Sequence, residues 1–435
     1  MSRTTTRRLA DWWSLVGCAR GCFTTAGFAL FETLLSGWVL APGRRTITAM
    51  ISAGDPEGQR AHDAYHRFVR CGRWSLDQLW RSLVVCMIRV LAPSGPVRLD
   101  IDDTLYKKVG RKVDGAGIFR DAVHSTSKKV VYALGLNLVV VTLRTDAPWG
   151  GCPIALPVGV RLHRKGGPTT IDQAAAICRQ LSSWLPGRVF DICGDGAYAT
   201  LIGRQLPNAT VTSRMRRDAA LYEAAPPRTR RRGRPRQRGA RLETPEQMSK
   251  RLANAEFDTV EYDCRGTLVR ALVWSTRVLW YAVDKRRLVT VVIVRDPDGI
   301  CPDDFFVTDD EDAHDTEVVA RYAGRWSIEV TFREVKQCLH GEDPQSWKNE
   351  GPERAAALSL WLYSAIWTWY ITTIGSTRTW TARPWYPKKA TPSFLDALAA
   401  LRRTLWTERI TPLSFNGRHH TKIIEGMLDV LANAA

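Results

Sequence analysis

Residues 1 to about 90 carry apolar positions at helical spacing, with arginine and tryptophan interspersed, among them Arg44, Arg45, Arg70, Arg73 and Trp74. At Val97 the period changes. The run VRLDID alternates apolar and acidic residues and predicts a strand, and Val130–Leu143 and Ile154–Leu162 predict two more, the first rich in β-branched residues. Helical spacing returns over Ile171–Trp184, after a Gly-Gly-Pro turn. Arg188–Cys193 predicts a short strand closing on GDGAYAT, where a helix is expected to start, and Val211–Ser213 a fifth strand. Beyond an arginine-rich stretch without acids, Pro226 to Arg241, four β-like segments follow: Phe257–Cys264, Leu268–Trp274, Leu279–Val283 and Val289–Val294. One long helix is expected from about Thr316 to Leu339, and a proline-bearing linker after Ile374 leads into a helical tail. The pattern is a mixed α/β core, interrupted by a β-rich insertion and flanked by helical pieces.

Composition narrows the partners. Sixty-two Lys and Arg against forty-four Asp and Glu leave a formal charge of +18, which favours a polyanion, nucleic acid before an acidic membrane surface. Ten cysteines are scattered without a CxxC pair, so reduced thiols in a cytoplasmic protein are expected rather than a disulfide scaffold. The basic N-terminus lacks an apolar core and cleavage site, so no secretory signal is expected. Ala355–Ile374 is uncharged and long enough to span a bilayer, but its serines and threonines and its evenly spread Trp and Tyr suit a helix buried against a sheet.

Three acids draw attention. Asp102 ends the first strand within Asp100-Ile101-Asp102-Asp103-Thr104; strand alternation puts Asp100 and Asp102 on one face, where they repel unless a cation or a basic group offsets them. Asp195 lies between Gly194 and Gly196, just past another strand. Either aspartate alone is equally compatible with a turn or capping role. On a continuous helix of ~100° per residue, Tyr322, Arg325, Glu329, Arg333 and Lys336 fall within roughly 80° of arc, beside an apolar stripe of Ile328, Phe332, Val335 and Leu339. One face thus carries a single acid among three cations and a phenol, although i,i+4 pairing such as Glu329–Arg333 accounts for such charges as well.

Tyr322-x2-Arg325-x3-Glu329-x6-Lys336 resembles the signature of DDE transposases of the insertion-sequence four superfamily, and the strand ending in IDDT, the GDGAYA segment and the FFVTDD flank are similar too. The resemblance covers about residues 95–375. It implies a ribonuclease H-like mixed sheet flanked by helices, with a β-rich insertion before the catalytic glutamate helix and a helical N-terminal region. The corresponding divisions are 1–92 (helical, expected to bind DNA), 93–217 (first part of the core), 218–305 (basic loop and β insertion), 306–375 (second part of the core) and 376–435 (linker and tail).

The resemblance further implies a bacterial, nucleoid-associated transposase that cuts and joins insertion-sequence ends. Asp102, Asp195 and Glu329 would hold two Mg²⁺ or Mn²⁺ ions, a choice that oxygen donors favour. The partners implied are terminal inverted repeats and target DNA, with a homodimer formed on DNA and no membrane. Asp100 and Asp103 are expected to give local support. Tyr322, Arg325, Arg333 and Lys336 would contact the DNA, and Lys107 and Lys108 either line the same groove or belong to a solvated loop. Arg232-Gly233-Arg234-Pro235-Arg236 is similar to an AT-hook core, open to minor-groove insertion or to plain phosphate attraction. Trp274 and Trp280 are candidates to stack on a flipped base, or else core residues of strands. A structure-specific nuclease and a domesticated DNA-binding regulator of the same fold are the alternative readings.

Overall fold

The computed structural model describes residues 3–126, 128–227, 235–377, 380, 384, 386–410 and 418–434. Five helices lead: α1 (Arg3–Gly17), α2 (Thr25–Leu40), α3 (Ile47–Gly54), α4 (His62–Cys71) and α5 (Leu76–Leu91). Thr24, Thr46 and Ser75 start three of them. Each hydroxyl accepts the backbone N–H three residues on, satisfying a donor that the first turn leaves free. At Gly37 a Cβ would run into the Met50 carbonyl, so α2 and α3 approach as closely as glycine alone permits.

The core sheet follows. It comprises β1 (Val97–Lys107), β2 (Gly117–Arg120), β3 (Tyr132–Thr145), β4 (Ile154–His163), β5 (Phe190–Gly194) and β6 (Ala209–Arg214). Its order is β4-β3-β1-β5-β6, antiparallel through the first three strands and parallel from β1 to β6; β2 pairs with the start of β3. The change to parallel pairing requires a crossover, which α6 (Thr170–Trp184) supplies between β4 and β5. This is the mixed sheet flanked by helices expected of a ribonuclease H-like protein.

The insertion does not stand apart from that sheet. After α7 (Pro245–Arg251), strands β7 (Asp258–Cys264), β8 (Thr267–Val278), β9 (Val289–Arg295) and β10 (Asp304–Thr308) form an antiparallel meander, and β10 pairs with β6, so ten strands make one continuous sheet. Leu279–Val283, expected as a strand, is instead a turn closed by Val283 N–H on the Trp280 carbonyl at 2.9 Å, with Leu279 in an isolated bridge to Tyr222.

α8 (Asp315–Gly324) and α9 (Ser327–Gln337) replace the single helix expected over 316–339. The backbone N–H groups of Arg325, Trp326, Ile328 and Glu329 each bond three residues back, so the axis tightens into 3₁₀ geometry at the junction. α8 lays Val318 and Val319 on Val273, Val292 and Phe306 of the insertion; α9 and the residues just after it bury Ile328, Phe332, Val335 and Leu339, the expected stripe, against the core.

The uncharged segment Ala355–Ile374 makes up α10 (Gly351–Thr373) from its second turn to its end, buried without a break from Ala355 to Tyr370. Several of its polar groups are satisfied internally, Ser364 donating to the Pro157 carbonyl at 2.7 Å, Trp361 Nε1 to the Leu79 carbonyl at 3.2 Å and Trp369 Nε1 to the Arg8 carbonyl at 2.9 Å, whereas Trp367 Nε1 is buried without a partner. α10 thereby ties the sheet to the N-terminal helices in one hydrophobic core, joined by α11 (Phe394–Ile410) and followed by α12 (Arg418–Ala432). Among the described residues no helix is long and apolar enough to cross a membrane.

Candidate active site

Parallel pairing of β1 and β5 sets Asp100 opposite Cys193 and Ile101 opposite Gly194. One residue further, the same register carries Asp102 alongside Asp195. Asp195 caps the 3₁₀ segment Gly196–Arg204, its Oδ1 accepting Ala197 N–H at 2.9 Å, while Ser213 Oγ donates to its carbonyl at 2.6 Å. The cap fixes the carboxylate at the strand end.

Asp102 is held differently. Arg325, in the 3₁₀ junction, donates from Nη1 to Asp102 Oδ2 at 2.7 Å and from Nη2 to Glu329 Oε1 at 3.1 Å. One guanidinium therefore spans the first and third candidate acids. Burial pushes the Asp102 carboxyl up to about 7; Arg325 opposes that shift, and the charges of Asp195 and Asp103 add to it. Asp103 is also raised, first by burial and then by Asp195, against hydrogen bonds from Asn137 and Tyr198. For Arg325, burial is the largest influence and works against the charge, but Asp102 and the other neighbours together outweigh it and the pKa is raised; its Nε is buried without a partner.

These acids are crowded like charges in a poorly solvated place, the condition that a cation relieves. Their donor chemistry, all carboxylate oxygen, fits a hard divalent ion such as Mg²⁺ or Mn²⁺. Among the described residues no three His, Cys, Asp or Glu side chains already stand close enough to share one ion; the Arg325 guanidinium is the cation seated between Asp102 and Glu329.

Asp100 has its own basic partner. It is fully buried and bound by Arg144, whose Nε donates to Oδ2 at 2.9 Å, with a second contact from Nη2 to Oδ1. A Cβ at Gly324 would collide with the same guanidinium, so glycine at the end of α8 leaves room for it beneath the junction. Arg144 was missed in the sequence, although one cation at the end of the apolar run Val139-Val140-Val141-Thr142-Leu143 is the kind of buried charge that needs a partner. Tyr198, whose hydroxyl donates to Asp103 at 3.4 Å, was missed as well.

Of the other cations on the helix, Lys336 donates to the Leu105 carbonyl of β1 at 2.9 Å; burial lowers its pKa, with Glu342 and Asp121 opposing. Arg333 is exposed. Tyr322 packs against Phe306 of the insertion with the rings tilted by 43°, and the Arg325 guanidinium lies 5.4 Å from its ring. Lys107 and Lys108 lie at the end of β1: Lys107 Nζ reaches Asp121 at 2.7 Å and Lys108 Nζ the Glu342 carbonyl at 2.6 Å. Trp280 is buried and Trp274 half-buried, both packed on the main core. Trp326, in the junction itself, is 41% exposed, with the Arg265 guanidinium 3.9 Å over its ring. Arg236 is exposed; Arg232 and Arg234 lie outside the described residues.

A family model described as DDE superfamily endonuclease matches residues 19–269, more than half of the chain. The chain belongs to that family. The match takes in Asp102 and Asp195 and ends before Glu329, which lies beyond the insertion and is joined to Asp102 by the Arg325 bridge. No curated protein matches the chain.

Proposed function

We propose that the protein is a DNA transposase of the insertion-sequence four type, and that Asp102, Asp195 and Glu329 are its metal ligands. The observation that carries this reading is the Arg325 bridge, which draws two acids 227 positions apart in sequence to one guanidinium. In use, the three carboxylates would hold two Mg²⁺ or Mn²⁺ ions, which when bound activate the attacking water or 3′-hydroxyl and stabilise the leaving oxygen. Arg325 keeps Asp102 and Glu329 apart from each other's charge and, turned outward, grips a phosphate with Tyr322 beside it. Lys336 holds the terminal strand near the end of β1. The active species is a dimer bridging two DNA ends, because bound DNA offsets the self-repulsion of a +18 chain.

A mixing experiment separates this reading from a nuclease that acts alone. When protein carrying Glu329→Ala is mixed with active protein, cleavage of end DNA should fall more steeply than dilution predicts. Loss by dilution alone would mean that each protomer works independently, and the transposase reading would give way to the simple nuclease.

The basic loop supplies attraction rather than chemistry. Its far end is anchored by Arg238, whose guanidinium lies 4.3 Å from the Tyr222 ring and 5.0 Å from Tyr281. Deleting residues 228–236 should leave this anchor in place and make DNA affinity less salt-dependent, by about 0.9 in the log–log slope for each phosphate no longer neutralised. A titration with an unchanged slope would make the loop a bystander.

A further inference from the structure

Two open grooves, of about 520 and 500 Å³, lie side by side near the end of β1, and the short ridge Gln345-Ser346-Trp347 forms a wall of both. One groove runs to α4 and carries Arg67, Arg70 and Lys348; the other carries Arg44, Lys107 and Lys108. Six cations thus face three carboxylates, and all three carboxylates are engaged within the protein: Asp63 pairs with Arg67 at 3.2 Å, Glu342 accepts Lys107 N–H at 2.7 Å and Asp343 accepts Arg45 N–H at 2.9 Å, while Lys107 Nζ pairs with Asp121 and Lys108 Nζ with the Glu342 carbonyl, which leaves an excess of positive charge along both grooves. Between the grooves stands Trp347, 46% exposed, in a chain dominated by buried tryptophans. Its indole is braced from beneath by Gly110 and by its Nε1 donating to Gln345 at 3.1 Å, and its carbonyl accepts Asp114 N–H at 2.8 Å.

An exposed, hydrogen-bonded indole flanked on both sides by cations matches what an unpaired strand requires: a ring for a base, and positive charge for the phosphates before and after it. We infer that Trp347 is a stacking platform for a single-stranded DNA segment, with its flanking phosphates in the two grooves. Five residues of β1 separate Lys107 from Asp102, roughly 17 Å at ~3.3 Å per residue. The stacked base therefore lies a few nucleotides from the bond being cut. The inference rests on the proposed DNA-cleaving role and extends it to strands opened beside the cut.

The test compares two DNA probes of the same end, one blunt and one with a ten-nucleotide single-stranded extension, titrated against the full chain by fluorescence anisotropy. Trp347→Ala should weaken binding of the extended probe by about tenfold or more, while the blunt probe changes less than twofold and Trp347→Phe retains most of the affinity. An iodouracil placed in turn at each position of the extension should crosslink, at one of them, to the peptide containing Trp347. Equal loss on both probes, or no loss with no crosslink, would overturn the platform. If wild-type protein binds neither probe, the DNA-cleaving role itself fails, a distinct outcome.

Discussion

The Glu329→Ala protein is expected to bind end DNA nearly as tightly as wild type and to cut it at least about a thousandfold more slowly. Removing one acid from a metal-binding cluster costs several kcal/mol of charge stabilisation in the transition state, at ~1.36 kcal/mol per tenfold in rate. Affinity, by contrast, is spread over many phosphate contacts. Asp102→Ala and Asp195→Ala should behave alike, and a chelator should abolish the wild-type reaction. Arg325→Ala offers a contrast: it removes a cation and leaves every acid in place, so it should weaken binding as well as cleavage. Cleavage in Mg²⁺ and binding by gel shift check both halves. Substantial cutting by the Glu329→Ala protein would remove that residue from the site.

Arg144→Met is expected to destabilise the fold by about 3–5 kcal/mol, because it strands a fully buried Asp100 without its partner. The double variant Asp100→Leu/Arg144→Met should recover most of that loss, since the pair's attraction is largely offset by its desolvation. Chemical denaturation of the two single variants and the double measures the coupling. Additive losses would mean that the pair does not act as a unit.

Much of this architecture was readable in advance wherever the pattern is regular. β1, β3, β4, α6, β5 and β6 emerge within a few residues of the spans expected, because long amphipathic or β-branched runs leave little choice of period. The failures have physical causes. β2 is four residues long, with glycine at its start and arginine at its end, too short to show an alternation; β10 has an apolar run of only three residues. Leu279–Val283 has the composition of a strand, but Trp280 turns into the core and the chain reverses. The break between α8 and α9 leaves no mark on helical periodicity, because it comes from tertiary demands: Arg325 is drawn to Asp102, and Arg144 fills the space under Gly324. At the site, the candidate acids are proposed from the sequence text, whereas the Arg325 bridge and the Asp100–Arg144 pair depend on contacts between residues far apart in the chain.

The joining of β10 to β6 bears on how the molecule is made. Phe306 pairs with Arg214 across more than ninety intervening residues, and Glu329 follows β10 in the chain. Closing so long a loop is slow unless the intervening segment collapses first. On a ribosome, Asp102 and Asp195 are laid down in their parallel strands well before the meander is complete, and the helix with the third acid docks onto a sheet finished ahead of it. On the proposed assignment of Glu329, cleavage has to wait for the meander and α9, and chains truncated ahead of α9 should be inactive. In pulsed hydrogen exchange during refolding, amides of β1 and β3 should gain protection before those of β10 and α9; simultaneous protection would show that the sheet closes in a single step.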